Sequence, residues 1–131
     1  MELIRQKILK IHGTVAIIVG TLFSISSTIG MSSGIGPLGM LQENKLGHVG
    51  LMQAYMLFAL IGVVLIMGSR QENVKKWNRI GALAHALILI VYLIHWNFFP
   101  TLENGEFMRM GGVVFHLIFL TTETWAGFIS K

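Results

Sequence analysis

The chain contains no cysteine, so it has no disulfide framework, no thiol nucleophile and no thiolate metal site. Charge is scarce as well. Asp, Glu, Lys and Arg together make up 12% of the 131 residues, where a soluble domain carries about a quarter. That shortfall excludes disorder, a nucleic-acid-binding domain and most soluble enzymes. What fills the chain instead is apolar: 53% of it is hydrophobic, and the mean hydropathy is +0.68. The sequence pI of about 9.8 would suggest an anionic partner if the basic residues formed one patch, but they are spread along the chain.

Four apolar stretches stand between three short polar ones, at about Gly13–Met31, His48–Gly68, Gly81–Phe99 and Gly111–Ile129. Each has roughly 20 residues, enough at ~1.5 Å per residue to cross a ~30 Å hydrocarbon core. The runs LMQAYMLFALIGVVLIM and ALAHALILIVYLIHW contain no acid, Lys or Arg. Continuous runs of this length are helices rather than strands. The expectation is an all-α, up-down-up-down transmembrane four-helix bundle forming one domain over residues 1–131. The N-terminus also carries a signal-peptide pattern: a basic n-region (MELIRQKILK), an apolar stretch, and small residues at Ser24 and Ser26. An uncleaved helix is preferred, because hydrophobicity resumes as far as Met31 and four helices close a bundle more readily than three.

Orientation follows from Lys and Arg. Arg5, Lys7, Lys10, Arg70, Lys75, Lys76, Arg79 and Lys131 fall on one side, eight against only Lys45 and Arg109 on the other. Both termini are therefore expected in the cytoplasm, with the chain integral to a plasma or inner membrane. The basic excess is a topogenic feature reinforced by anionic lipid, and it needs no nucleic acid. SRQENVKKWNR reads as a cytoplasmic turn, SSGIGPLGMLQENKLG as a long flexible outer loop, and TLENGEFMRM as an outer loop with a turn at Asn104-Gly105. Gly34, Gly36 and Gly39 match G-x-G-x-x-G, but a membrane helix precedes them and Pro37 interrupts them. A dinucleotide site needs a strand before the glycines and a helix directly after them, so this is a loop.

In lipid, an ionisable side chain turns to the bundle interior, which makes the polar residues within the spans the informative ones. His48 and Tyr55, His85 and Tyr92, and His116 and Glu123 are each seven apart. Seven residues are nearly two turns, so each pair lies on one helix face. Thr14, Thr21 and Thr28 repeat the spacing on the first span. Together they predict a polar bundle centre. His85 and Glu123 lie at depths that allow them to meet, either as a structural pair fixing helix register or as a proton-handling or ligand-binding site. His95, His116 and His48 gather toward the outer side. One b-type haem between His95 and His116 is conceivable. The two-haem arrangement is not, because His85 and His95 are ten apart and point about 80° away from each other. Copper at these histidines, with Met31, Met40, Met52, Met108 and Met110, is the other metal option, although methionine also simply fills gaps. Trp77, Trp96 and Trp125 fall at interfaces as anchors. Gly20, Gly62, Gly81 and Gly112 read as points of close helix contact.

The layout, and the stretch from MQAYMLFALIGVVLIMGSRQ through the basic turn to IGALAHALILIVYLIHW with its histidine just after Ala84, resembles the small four-helix membrane proteins grouped as DoxX-like. That resemblance implies a membrane-embedded bundle, sometimes attached to redox or oxidative-stress systems, and carries over no catalytic residue. The expected role is a non-catalytic accessory or ligand-binding subunit. It would pack against membrane-protein partners or its own copies, or hold a small lipophilic ligand at Glu123, His85, Tyr92, Tyr55 and His116. One alternative is a redox component holding haem or copper through His95, His116 and His48. The other is a small proton-coupled transporter using Glu123 and His85.

Overall fold

The computed structural model describes residues 1–99 and 105–130, and among these every regular element is helical. The elements are α1 (Glu2–Ser33), a 3-10 turn (Gly39–Gln42), α2 (Lys45–Gly68), α3 (Val74–Ile94) and α4 (Gly105–Thr124), which runs on as a π-helical turn (Trp125–Ile129). All four long helices have the length and apolarity to cross a membrane. Their burial pattern is inverted relative to a protein folded in water. His12, Ser27, Asn78, His85 and Glu123 are fully buried, while Ile18, Leu22, Leu57, Leu87 and Ile118 are exposed. Asn104, named above as a turn residue, and the rest of Pro100–Asn104 lie outside the described residues, as does Lys131.

Two boundaries differ from the hydropathy reading. α3 opens at Val74 instead of Gly81 and closes at Ile94, so Trp96–Phe98 lie in turns and Phe99 outside the α-helix. The cause is Asn73, whose side chain accepts from the Lys76 backbone N–H at 3.2 Å and caps the helix ahead of the basic residues. Lys75, Lys76 and Arg79 thus stand on the first turns of α3, and the connector shrinks to Ser69–Asn73. α1 likewise begins at Glu2, which makes the basic N-terminal segment continuous with the apolar one.

The chain forms two compact units, one of residues Ile11–Met67 and the other of Met1–Lys10 with Gly68–Lys131. In the first, α1 and α2 pair along a stripe that steps by seven on both. Gly13 faces Gly62, Gly20 faces Tyr55 and Ala59, and Ser27 faces His48. One series rises as the other falls, so the two helices are antiparallel, and the seven-residue step is that of left-handed coiled packing. The glycines permit it: a Cβ on Gly62 would stand 2.5 Å from the Gly13 carbonyl oxygen. Thr14, Thr21 and Thr28 are one position out of this stripe and exposed, contrary to the polar-centre expectation. Thr28 instead returns its hydroxyl to the Ser24 carbonyl at 3.0 Å, satisfying itself within its own helix. The loop after α1 is folded onto the unit. Gly34 and Gly36 take φ of 68° and 84°, values favourable only to glycine. Leu38 and Leu41 are buried.

In the second unit α3 and α4 pair antiparallel, Tyr92 opposite Gly112 and Gly81 opposite Glu123. The last carbonyls of α4 have no helical partner and gain cationic ones. Arg5 donates to Ala126 O at 3.0 Å and to Ser130 O at 2.6 Å, Arg79 to Gly127 O at 2.8 Å, and Lys75 to Ser130 O at 3.5 Å. Cations are favoured at this end of the helix dipole, so these basic residues close α4.

Candidate functional site

Two heptad series build a polar seam in the second unit. α3 contributes Asn78, His85 and Tyr92; α4 contributes Arg109, His116 and Glu123. Because the helices are antiparallel, the series meet in layers about 10 Å apart along the axis, seven residues at ~1.5 Å each.

The middle layer is His85 with His116, whose Nδ1 atoms lie 2.6 Å apart in a buried contact. Two ring nitrogens share a hydrogen bond only when one carries a proton and the other does not. The pair therefore holds complementary tautomers and admits at most one imidazolium. Phe119 stacks on His85 at 5.3 Å and 15°, and Phe115 meets it edge-on at 6.0 Å. The rings sit in an aromatic enclosure.

One layer toward the end of α4, the Asn78 Nδ2–H donates to Glu123 Oε2 at 2.6 Å, and both side chains are at 0% exposure. Gly81 gives the carboxyl its room: a Cβ there would lie 3.0 Å from Glu123 Cδ and 3.1 Å from Oε1. Asn78 also approaches the Arg5 carbonyl, at 3.5 Å. Its own Oδ1 is buried without a partner.

At the other end Tyr92 stacks on Phe99, 5.0 Å and 11°, with its ring 5.9 Å from His116. Its hydroxyl lies over Gly112, where any side chain would collide with it. Beyond it, buried Arg109 grips Glu106 at 2.5 and 2.6 Å, donates to Trp96 O at 3.0 Å and lies 4.0 Å over the Trp96 ring.

Of the residues named from sequence, the seam brings together His85, His116, Tyr92 and Glu123. Its cross-helix bonds join His85 to His116 and Glu123 to Asn78, with His85 and Glu123 in successive layers. His48 and Tyr55 belong to the other unit. There His48 Nδ1 bonds Ser27 Oγ at 2.9 Å, and the Tyr55 ring lies 5.1 Å from Phe23. His95 caps the end of α3 and is exposed. Asn78, Arg109, Ser27 and fully buried His12 had not been singled out. For Asn78 and Arg109 a usable sign existed: each extends its helix's series by one further step of seven.

The donor set suits proton sharing better than metal binding. A metal bound by both Nδ1 atoms would need them ~4 Å apart, from two bonds of about 2.0 Å, and 2.6 Å leaves no room for it. Haem or copper would draw on His95, His116 and His48. Of these, His116 and His48 spend Nδ1 on His85 and Ser27. Among the described residues no group of three or more histidine or acidic side chains is placed to hold a metal ion.

No family model matches the chain, and neither the curated proteins nor the solved structures yield a match. Function has to be read from the residues themselves.

Proposed function

We propose that this is a small integral protein of the plasma or inner membrane. In this reading it crosses four times, up-down-up-down, with both termini cytoplasmic, and it serves as a non-catalytic accessory or ligand-binding subunit whose α3–α4 seam handles protons. One observation carries the reading: ionisable His85, His116 and Glu123 are buried while large apolar side chains face outward. Lipid accommodates that arrangement, and ionisable groups held inside a membrane bundle mark functional positions. A subunit role draws support from α2. It is the most hydropathic helix, at 2.3, and the least covered, with 17% of its most apolar window buried. So much bare surface suits acyl chains, a membrane-protein partner or a second copy. Native mass spectrometry from a mild detergent tests this. The expected result is a defined partner protein or a small lipophilic ligand retained with the chain; a bare monomer on every extraction overturns it.

The seam favours a second reading, proton-coupled carriage through Glu123 and His85, since protonatable groups occupy successive layers. In proteoliposomes with an internal pH dye, Glu123→Gln is expected to abolish proton uptake while the bundle stays folded. Uptake equal to the unmodified protein counts against it.

A further inference from the structure

Gln53 is the ninth of the 24 residues of α2, about 12 Å from the Lys45 end and about 22 Å from the Gly68 end. In the four-span reading that depth puts its amide within the hydrocarbon core. It lies on the side away from α1: Tyr55 faces α1, and Gln53, two residues earlier, is about 160° round the helix from it. The side chain is exposed, and its amide has no hydrogen-bond partner among the described residues. A hydroxyl in such a place returns to its own helix, as Thr28 does. A glutamine amide carries two N–H donors and a carbonyl acceptor, and acyl chains have nothing to bond them.

We infer that α2 pairs with α2 of a second copy, parallel and about a two-fold axis along the membrane normal, through a seam centred on Gln53. The inference rests on the membrane-subunit reading and names the partner.

Three features of this face select a second copy. An amide is its own complement: Nε2–H of each Gln53 donates to Oε1 of the other, so one residue closes both bonds. Copies inserted in the same direction hold that residue at the same depth, and a two-fold interface sets it against itself. The spacing around it fits as well. Gly50, Gln53, Leu57, Leu60, Val64 and Met67 step alternately by three and four, the repeat of left-handed coiled packing, in which one polar residue fixes the register. All of them are exposed except half-buried Val64. The third feature is Gly50. Gly13, Gly20 and Gly62 stand against facing backbone, whereas a Cβ on Gly50 would meet nothing within 4 Å. Glycine inside a helix costs stability, and no contact within one copy calls for it here. Small residues in membrane helices serve close approach, and this one lets a second backbone come near the amide.

The chain has no cysteine, so a single introduced thiol reports which face pairs. In membranes of the expressing cells, with Gln53 in place, Leu60→Cys should form a disulfide-linked dimer under copper-phenanthroline oxidation. Ala54→Cys, also exposed but about 100° round from Gln53, should stay monomeric. Energy transfer between full chains labelled at Glu43→Cys, in vesicles of phosphatidylethanolamine and phosphatidylglycerol, then measures affinity. Gln53→Leu should weaken dimerisation about 5- to 30-fold, the effect of such a hydrogen-bonded side chain in membrane peptides. Gln53 and Leu60 are exposed, so neither substitution disturbs the α1–α2 contact. The inference is overturned if Leu60→Cys gives no dimer, if Ala54→Cys links as readily, or if Gln53→Leu pairs as tightly as the unmodified chain. Its fate separates from that of the subunit reading. A different protein retained in native mass spectrometry, with Leu60→Cys monomeric in the membrane, leaves the subunit reading standing and removes this dimer. Bare monomers from every extraction, with the Leu60→Cys link intact in the membrane, do the opposite.

Discussion

A polar side chain within an apolar helix must find its hydrogen-bond partner on the helix opposite, in its own backbone, or among the groups at the helix ends. All three solutions occur here: His85 bonds His116, Thr122 returns to Ile118 O at 3.0 Å, and Arg109 reaches Glu106 and the Trp96 carbonyl near the start of α4. Because the first solution links two helices, its strength is measurable as a coupling. A double-mutant cycle of His85→Ala and His116→Ala, followed by reversible unfolding in bicelles, should give a coupling of about 0.6 kcal/mol and no more than ~1.7 kcal/mol, the range for cross-helix hydrogen bonds in membranes. Strict additivity would mean the ring contact contributes nothing to pairing. Much of this site could be read from spacing. His85, Tyr92, His116 and Glu123 disclose themselves as ionisable or phenolic groups in apolar runs, and the seven-residue step puts each pair on one face. Which residue answers which was hidden, because that depends on register between helices, and register is set by the connecting turn. Asn78 was hidden for a second reason. Its neighbours Lys75, Lys76 and Arg79 make the segment look like a water-exposed turn, although the Asn73 cap winds it into α3.

Helix pairing depends on where backbones are allowed to approach. Gly20, Gly62, Gly81 and Gly112 were all expected at close contacts, and each lies against a facing helix. Small residues in an apolar helix have few other uses, so this inference transfers well. The threonine stripe on α1 did not transfer. A hydroxyl can satisfy itself on its own helix, so seven-residue spacing of Thr says nothing about facing direction, whereas a histidine or a glutamate has no such outlet. For the packing, Gly62→Leu should destabilise the α1–α2 pair by about 1–3 kcal/mol, the cost of overfilling a tight contact. Gly50→Ala, with nothing within 4 Å of the added Cβ, should be close to neutral. Equal effects from the two would remove the close-approach explanation. The end of α4 is testable in the same assay. Arg5→Ala takes donors from Ala126 O and Ser130, and a hydrogen bond to a charged group contributes roughly 1.5–3 kcal/mol. A loss of that size, with Arg5→Lys restoring part of it, is expected; no loss would mean that water or the Ser130 hydroxyl closes the helix unaided.

Polarity inverted with respect to water, four helices of spanning length and a lopsided distribution of Lys and Arg make one connected claim about placement. Length and apolarity follow from composition, which is why the four segments are visible in the sequence. The direction of insertion rests on charge alone, because insertion retains Lys and Arg on the cytoplasmic side. The absence of cysteine makes that direction directly measurable, since any single cysteine introduced will be the only thiol in the chain. Glu43, after the 3-10 turn, and Glu72, in the connector before α3, are both exposed and lie at opposite ends of α2. Glu43→Cys should react with a membrane-impermeant maleimide on intact cells. Glu72→Cys should stay unlabelled until the membrane is opened, and then react at a similar rate. The reverse pattern would place the basic segments outside and refute the charge argument. Labelling of both on intact cells would show that the α2 segment does not cross, and without that crossing nothing would require Glu123 and His85 to be enclosed by helices instead of by water.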